Sequence, residues 1–251
     1  MEGWLSDVQK RPALYLGCSV LAFRLIHRLL KTLPRPRTLD NNSWKSWRWE
    51  NLSVSLVHSL LSGAWAVFCV LQYPLMVHDL HSSFTPLAYL LVVISTGYFI
   101  QDAGDIIFSG HARESWEFLI HHVLVISTFM YALITSVYVA GAVIALFVEV
   151  NSVFLHLRLL LKLAGVPRDS LLYTVNKLIN VATYISFRLG TQFYLSWYII
   201  YNYSWLDHAL FFLVCMMLMN IMILVYFYRL LRTDFFTPRS HQNGVRKFAN
   251  D

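Results

Sequence analysis

Residues 118–161, FLIHHVLVISTFMYALITSVYVAGAVIALFVEVNSVFLHLRLLL, decide the class of this protein. Among these 44 residues only Glu149 and Arg158 carry a formal charge. About 20 apolar residues in helical form cross a bilayer, because each backbone group is then hydrogen-bonded within its own helix. The stretch is too long for one span. It therefore predicts two membrane helices joined by a tight turn near Gly141.

The rest of the chain has the same character. Of its 251 residues 57% are hydrophobic and 14% are charged, and the mean hydropathy is +0.52. In soluble domains about a quarter of the residues are charged. The three cysteines, Cys18, Cys69 and Cys215, lack the spacing of a disulfide framework or a zinc site. We predict an all-α membrane protein with about seven transmembrane helices, at residues 12–30, 52–76, 86–108, 118–138, 139–161, 173–201 and 207–230.

The basic residues predict the orientation of these spans. Cytoplasmic connections carry an excess of Lys and Arg, and here fifteen of these residues fall in alternate connections and the C-terminal segment. On the other side only Lys10 and Arg11 precede the first span. The pattern predicts an N-terminus outside and a C-terminus in the cytosol. The net charge of +6 therefore reflects topology rather than nucleic-acid binding.

We predict three regions along the chain. Residues 1–44 form a retained first helix and a cytosolic linker. The linker segment from Pro34 to Trp49 ends in an interfacial aromatic anchor made by Trp44, Trp47 and Trp49. Residues 45–235 form the main membrane domain. Residues 236–251 form a polar cytosolic tail, which has few apolar residues to bury.

Five consecutive spans carry polar side chains at helical spacing. Such residues are costly in a membrane and usually face a protein interior or a wet cavity. They are Asn51, Ser55, His58, Ser59 and Ser62; Tyr98, Asp102 and Asp105; His121 and His122; Glu149, Asn151, Ser152 and His156; and Asn176, Asn180, Arg188 and Gln192. A barrel or bundle lined by these stripes is the simplest arrangement, with the first and last spans peripheral. The alternative is that the stripes only join helices through hydrogen bonds of about 1 kcal/mol each.

The adjacent histidines suggest acid–base or acyl-transfer chemistry. An imidazole can act as a base or nucleophile while a carboxylate fixes its tautomer. Adjacent histidines diverge by about 100° on a helix, which disfavours a shared metal ion, and no His-Glu-x-x-His motif is present. We expect His122 to face the lumen, and the aspartates to contact His58, His121, His122 or Arg188. The catalytic candidates, if the chain is an enzyme, are His121, His122, Glu149, Asp102 and Asp105. The lipid-binding candidates are His58, Ser62, Tyr98, His156, Asn176, Asn180 and Arg188.

Four segments resemble a known membrane family. They are SVSLVHSLLSG at 53–63, GYFIQDAGD at 97–105, WEFLIHH at 116–122 and EVNSVFLHLR at 149–158. Their order and spacing over residues 45–235 resemble the TLC (TRAM–LAG1–CLN8) domain, and within it the branch of TLC domain-containing proteins 1 and 2. Residues 149–158 favour the second of these. The resemblance implies a barrel of six helices, made by spans two to seven.

The resemblance also bears on function. In ceramide synthases of this family, a His pair and downstream acids transfer an acyl group from acyl-CoA to a sphingoid amine. The His pair is present here, but the downstream His-Asp-x-Ser-Asp pattern aligns with residues 148–152, where Glu149 is the only acid. Ceramide synthesis is therefore disfavoured.

The branch implies instead a plasma-membrane regulator of phospholipid composition and fluidity that limits the incorporation of polyunsaturated acyl chains. Membrane lipids are the expected partners. We expect no nucleic-acid partner, no metal and no cofactor. A lipid acyltransferase with acyl-CoA as its substrate, and a location in the endoplasmic reticulum, are the alternatives.

Overall fold

The computed structural model describes residues 7–39 and 42–236, and this part of the chain contains helices and no strand. Six helical stretches are long and apolar enough to cross a bilayer: α1, α2, α3, α4, α5 together with α6, and α9 with the turn that follows it. The predicted all-α membrane fold is confirmed. The helices are α1 (Pro12–Lys31), α2 (Ser43–Gln72), α3 (Pro86–Phe108), α4 (Trp116–Thr135), α5 (Val139–Ala145), α6 (Val148–Leu163), α7 (Leu171–Thr183), α8 (Gly190–Tyr201) and α9 (Ala209–Leu231).

Side-chain caps fix where several helices begin. The Thr85 side chain accepts a hydrogen bond from the Ala88 N–H at 3.2 Å, and Pro86 opens α3 at the predicted residue. The Asn42 side chain accepts from the Lys45 N–H at 2.9 Å. This cap starts α2 at Ser43, well before the predicted residue 52. The predicted anchor tryptophans therefore belong to α2, and the prediction that they end a linker was wrong.

The turn between α4 and α5 confirms two helices in the stretch quoted first. The chain reverses at Ser136 and Tyr138, whose φ angles are 56° and 63°. Gly141 is not the turn residue, because it lies inside α5, where its N–H donates to the Leu80 carbonyl at 3.1 Å. Leu146 and Phe147 separate α5 from α6.

The predicted span at 173–201 is helical from Leu171 to Tyr201 but is not one regular helix. A π-helical segment at Tyr184–Leu189 divides it into α7 and α8. A π turn holds more residues than an α turn, so it changes the direction in which the following side chains point. Arg188, one of the predicted site residues, lies in this segment.

The helices form a ring in the order α2, α3, α4, α9, α8 with α7, and α6, and α6 packs against α2 to close it. Gly63 permits this closure, since a Cβ there would lie 3.1 Å from the Val150 nitrogen. The predicted spans two to seven thus form the barrel of six helices that the resemblance implies, with α5 at one end.

Helix α1 lies outside the ring and packs against α3. Its Ser19, Phe23 and His27 form a buried stripe at four-residue spacing, although the sequence suggested no inward face for this helix. Ser19 approaches Gly97 so closely that a Cβ at Gly97 would come within 2.5 Å of it. Apart from Phe236, the polar tail predicted at 236–251 lies outside the described residues, as do residues 1–6 and 40–41 of the predicted N-terminal region.

Candidate functional site

A cavity of about 500 Å³ occupies the barrel between α2, α3, α4, α6, the π segment and α9. It extends inward from the end of the barrel where α1 connects to α2, α3 to α4 and α6 to α7. This is the end that carries the basic connections. Of the predicted site residues, those that line the cavity are Tyr98, Asp102, His121, His122, Glu149, His156 and Arg188.

His122 and Asp102 form a close polar pair in the cavity wall. The His122 Nε2 atom lies 2.9 Å from Oδ2 of Asp102, and both side chains are almost fully buried. The other Asp102 oxygen accepts a hydrogen bond from the Asn51 amide at 2.6 Å. Nδ1 of His122 lies 2.5 Å from the Phe118 carbonyl oxygen, so this nitrogen carries a proton. Both ring nitrogens of His122 are therefore engaged.

His121 differs from its neighbour. It is half-buried and lines the cavity, and its ring lies at 86° to that of His122 with the centroids 5.6 Å apart. Among the residues that the structure describes, none accepts or donates a hydrogen bond to its ring. The sequence favoured His122 as the lumen residue. Both histidines reach the lumen, but His121 is the one whose imidazole is available to a ligand.

Glu149 lies on the opposite side of the cavity, where α6 meets α2. Its Oε2 accepts a hydrogen bond from the Ser59 hydroxyl at 2.6 Å and lies 4.0 Å from Nδ1 of His58. His58 is fully buried and stacks on Tyr98 with ring centroids 3.8 Å apart. Within the described part of the chain, neither nitrogen of His58 has a hydrogen-bond partner. His58 therefore lies behind the cavity wall.

Four predicted lipid-binding residues do not line the cavity: His58, Ser62, Asn176 and Asn180. Ser62 donates to the His58 carbonyl at 2.8 Å within its own helix. The Asn176 amide donates to the Phe154 carbonyl, and Asn180 accepts from Asn151, each at 3.0 Å. Ser62, Asn176 and Asn180 therefore make hydrogen bonds within or between helices. This agrees with the alternative stated above, in which polar stripes only join helices.

Asp105 faces α1 and α2 rather than the cavity, so the predicted partners were wrong for this residue. Its carboxylate accepts from the Trp47 indole at 2.9 Å and lies 3.3 Å from Nδ1 of His27. The second nitrogen of His27 lies 3.8 Å from Glu50. Sequence analysis missed His27 and Glu50. The spacing of Ser19, Phe23 and His27 was the signal for this contact.

Arg188 reaches the cavity from the π segment. Its Nε donates to the Asn151 side-chain oxygen at 2.8 Å and its Nη2 to the Ser152 hydroxyl at 2.7 Å. Two other arginines of the wall, Arg158 and Arg229, pair with Asp234 and Glu117. Within residues 7–39 and 42–236, no three His, Cys, Asp or Glu side chains converge as a metal site would require.

This geometry can do two things chemically. A cavity with an apolar wall and a few fixed polar groups can hold an amphiphile. A buried His–Asp pair beside a free imidazole can also support proton transfer or acyl transfer. The arrangement places His121, His122, Asp102, Glu149 and Arg188 around one space.

Comparison with known proteins identifies the family. The TRAM–LAG1–CLN8 family model, which describes the TLC domain, matches residues 48–232. TLC domain-containing protein 1 of Gallus gallus is 42% identical over 234 residues, which are 93% of this chain and 91% of that protein. The Homo sapiens protein 1 is 41% identical over 88% of this chain and 89% of its own. TLC domain-containing protein 2 of Danio rerio is 40% identical over 92% and 93%.

TLC domain-containing proteins 1 and 2 are thus similar to this chain at nearly equal identity. That residues 149–158 favour TLC domain-containing protein 2 stays a prediction. The match extends over most of the sequence and includes each helix of the ring. This chain therefore belongs to the TLC domain family.

Proposed function

We propose that this protein binds membrane lipid in the barrel cavity and thereby regulates the phospholipid composition and fluidity of the membrane. The observation that carries the proposal is the cavity of about 500 Å³. This volume falls within the range of roughly 300–1,000 Å³ typical of small-molecule sites. Lipid held there is withdrawn from the pool available for acyl exchange. Withdrawal of polyunsaturated species would limit the incorporation of fluidising chains.

The proposal includes a plasma-membrane location, with the endoplasmic reticulum as the alternative, and membrane lipids as the partners. The resemblance to the branch of TLC domain-containing proteins 1 and 2 supports both parts. The retained acid Glu149 is hydrogen-bonded to Ser59, which is consistent with a structural role for this residue in joining α6 to α2.

A lipid acyltransferase is the second candidate, favoured by the buried His122–Asp102 pair beside the free imidazole of His121. In this scheme a His121 nitrogen attacks the thioester carbon of acyl-CoA. An acyl-imidazole forms and the thiolate of CoA leaves. A hydroxyl or amine of the acceptor lipid then attacks the acyl carbon, and the bond from this carbon to the imidazole nitrogen breaks. The acceptor's proton passes through the imidazole to the thiolate, which gives free CoA thiol and regenerates neutral His121.

Lipid analysis of cells that lack the protein tests the first candidate. The cells are complemented with wild type, His121→Ala or His122→Ala, and with His78→Ala as a matched control on an exposed histidine outside the cavity. For a lipid-binding regulator, we expect a changed phospholipid composition that His121→Ala corrects as well as wild type does. An unchanged lipid composition in the cells without the protein would contradict the proposal.

Purified full-length protein and labelled acyl-CoA distinguish the two candidates. Formation of a labelled lipid by wild type, and its loss in His121→Ala at normal abundance, would establish the acyltransferase. Lipid binding without turnover would support the regulator. The His78→Ala variant controls for non-specific loss in both assays.

A further inference from the structure

Arg188 is a cation inside the membrane domain that makes no direct salt bridge with any described residue. In the part of the chain that the structure describes, no carboxylate oxygen lies within 4.0 Å of its guanidinium group. Two other arginines of the cavity wall each have an acidic partner. Arg158 is paired with Asp234, and Arg229 is paired with Glu117. Glu149 shares the cavity with Arg188 but accepts its short hydrogen bond from Ser59. Arg188 therefore has no carboxylate in direct contact among the described residues, and Glu149 is the nearby acid of the cavity.

The guanidinium of Arg188 is nevertheless held in a fixed position. Asn151 accepts from its Nε at 2.8 Å and Ser152 accepts from its Nη2 at 2.7 Å. Asn151 is in turn fixed by hydrogen bonds from its amide to the Asn180 carbonyl and side-chain oxygens, both at 3.0 Å. Among the described residues none accepts a hydrogen bond from Nη1. This arrangement positions one side of the guanidinium and leaves the other side for a ligand.

The depth of Arg188 restricts what that ligand can be. Ser152, which it contacts, lies eleven residues before the end of α6, or roughly 16 Å along the helix axis at 1.5 Å per residue. A charged group at such depth is costly unless it is compensated, and neutral hydrogen bonds do not cancel its charge. The cavity wall between Arg188 and the barrel end includes Leu155, Leu159 and Met222 beside charged side chains, of which Arg158 and Arg229 are paired with Asp234 and Glu117. An anion carried on a hydrocarbon chain suits this path better than a hydrated inorganic ion.

We propose that Arg188 binds the oxyanion of an amphiphilic lipid, either a carboxylate or a phosphate, in the barrel cavity. The inference rests on the proposed lipid-binding function and names the chemical class of the ligand. Guanidinium N–H groups bind carboxylate and phosphate oxygens through charge-assisted hydrogen bonds. The free Nη1 supplies such donors, and the apolar wall receives the hydrocarbon part.

Equilibrium binding of labelled probes to the full-length protein in neutral detergent micelles tests this assignment. The probes are oleate, lysophosphatidate with an oleoyl chain, oleyl alcohol and inorganic phosphate, and empty micelles correct for partitioning. We expect oleate or lysophosphatidate to bind at least about tenfold more tightly than oleyl alcohol, as a charged hydrogen bond implies. The tighter of the two identifies the oxyanion as a carboxylate or a phosphate.

Variants test whether Arg188 is the cause of this preference. Arg188→Gln should remove it, while Arg188→Lys should keep part of it, because lysine retains the charge but cannot contact Asn151 and Ser152 in the same way. Arg24→Gln, at an exposed arginine on α1, is the matched control and should bind as wild type does. If Arg188→Gln does not fold, two results still test the inference. They are the preference of the wild type for oleate over oleyl alcohol and the partial loss of this preference in Arg188→Lys.

Three results would overturn the inference. Equal binding of oleyl alcohol and the anionic probes would refute it and leave lipid binding intact. Tight binding of inorganic phosphate, without any gain from a hydrocarbon chain, would refute the amphiphile. Failure of all three amphiphiles to bind would instead remove the proposed function itself.

Discussion

The Nε2 atom of His122 lies 2.9 Å from the Oδ2 atom of Asp102, across the contact between α4 and α3. Both side chains are buried, and each has a second partner, the Phe118 carbonyl for His122 and Asn51 for Asp102. An interaction that satisfies every polar atom of a buried pair stabilises the contact, whereas removal of one partner leaves the other without a hydrogen bond.

We therefore expect Asp102→Ala and His122→Ala each to lower the free energy of unfolding by about 1–3 kcal/mol. The double variant should lose less than the sum, because the second change removes a group that the first has already left unpaired. Thermal unfolding of the purified protein measures this. His121→Ala is the control, since no hydrogen bond to its ring is found among the described residues. Equal losses in His121→Ala and His122→Ala would contradict the assignment.

The close approach of α1 to α3 predicts a sharp difference between two glycines of α3. In Gly97→Ala the new Cβ would lie 2.5 Å from Ser19 and 3.1 Å from the Val20 nitrogen, so α1 must move. We expect a loss of about 1–3 kcal/mol, as for other overpacked contacts. In Gly104→Ala the nearest atoms are those of the Phe108 ring at 3.8 and 3.9 Å.

Gly104→Ala should accordingly leave stability unchanged or raise it by about 0.5–1 kcal/mol, since alanine favours the helix. Thermal unfolding of both variants measures the difference. Ser19→Gly in the Gly97→Ala background removes the two closest atoms and should recover part of the loss. Similar behaviour of Gly97→Ala and Gly104→Ala would show that the two helices do not touch at Ser19.

Two ion pairs near the end of the chain should respond differently to loss of the acid. Arg158 and Asp234 are both buried, so Asp234→Asn leaves an unpaired cation, and we expect a loss of about 3–5 kcal/mol. The Glu117–Arg229 pair is partly exposed, with 56% of the Arg229 side chain accessible. Glu117→Gln should cost about 1 kcal/mol or less. Thermal unfolding of the two variants in parallel measures both losses. A larger loss of stability in Glu117→Gln than in Asp234→Asn would contradict the prediction.

The distribution of basic residues predicts the topology. A C-terminal epitope should be accessible to antibody after selective permeabilisation of the plasma membrane, and an N-terminal epitope in intact cells. The physical reason is that Lys and Arg are retained on the cytosolic side of a membrane. Fifteen of these residues lie on the predicted cytosolic side, and two lie on the opposite side. Detection of both epitopes on the same side would contradict an odd number of spans.

Helical periodicity was sufficient to find the polar faces but not the neighbours of each face. It placed Asp102 and Asp105 on one side of α3, and yet Asp102 contacts His122 while Asp105 contacts His27. Three residues along a helix turn a side chain by about 300°, which is enough to point it at a different neighbouring helix. The packing of both α1 and α2 against α3 determines the partners of Asp105.

Other features have no signal in a single sequence. The contact of α6 with α2 depends on how the chain returns across the barrel, and the π segment at Tyr184–Leu189 has an ordinary helical composition. The beginning of α3 at residue 86 was predicted from its apolar run, and the structure places the Thr85 cap and Pro86 at this point. The start of α2 was not, because the tryptophans that open it appeared to belong to the bilayer interface.

Helix α9 completes the ring by filling the place between α4 and α8. It is also the last of these helices to leave the ribosome, so during synthesis the other five already reside in the membrane while one side of the lumen stays open. The cavity that Asp102, Glu149 and Arg188 line then stays open on the side of α9 until residues 209–231 arrive. A chain that stops before Ala209 would therefore be a substrate for membrane quality control rather than a shortened version of the protein.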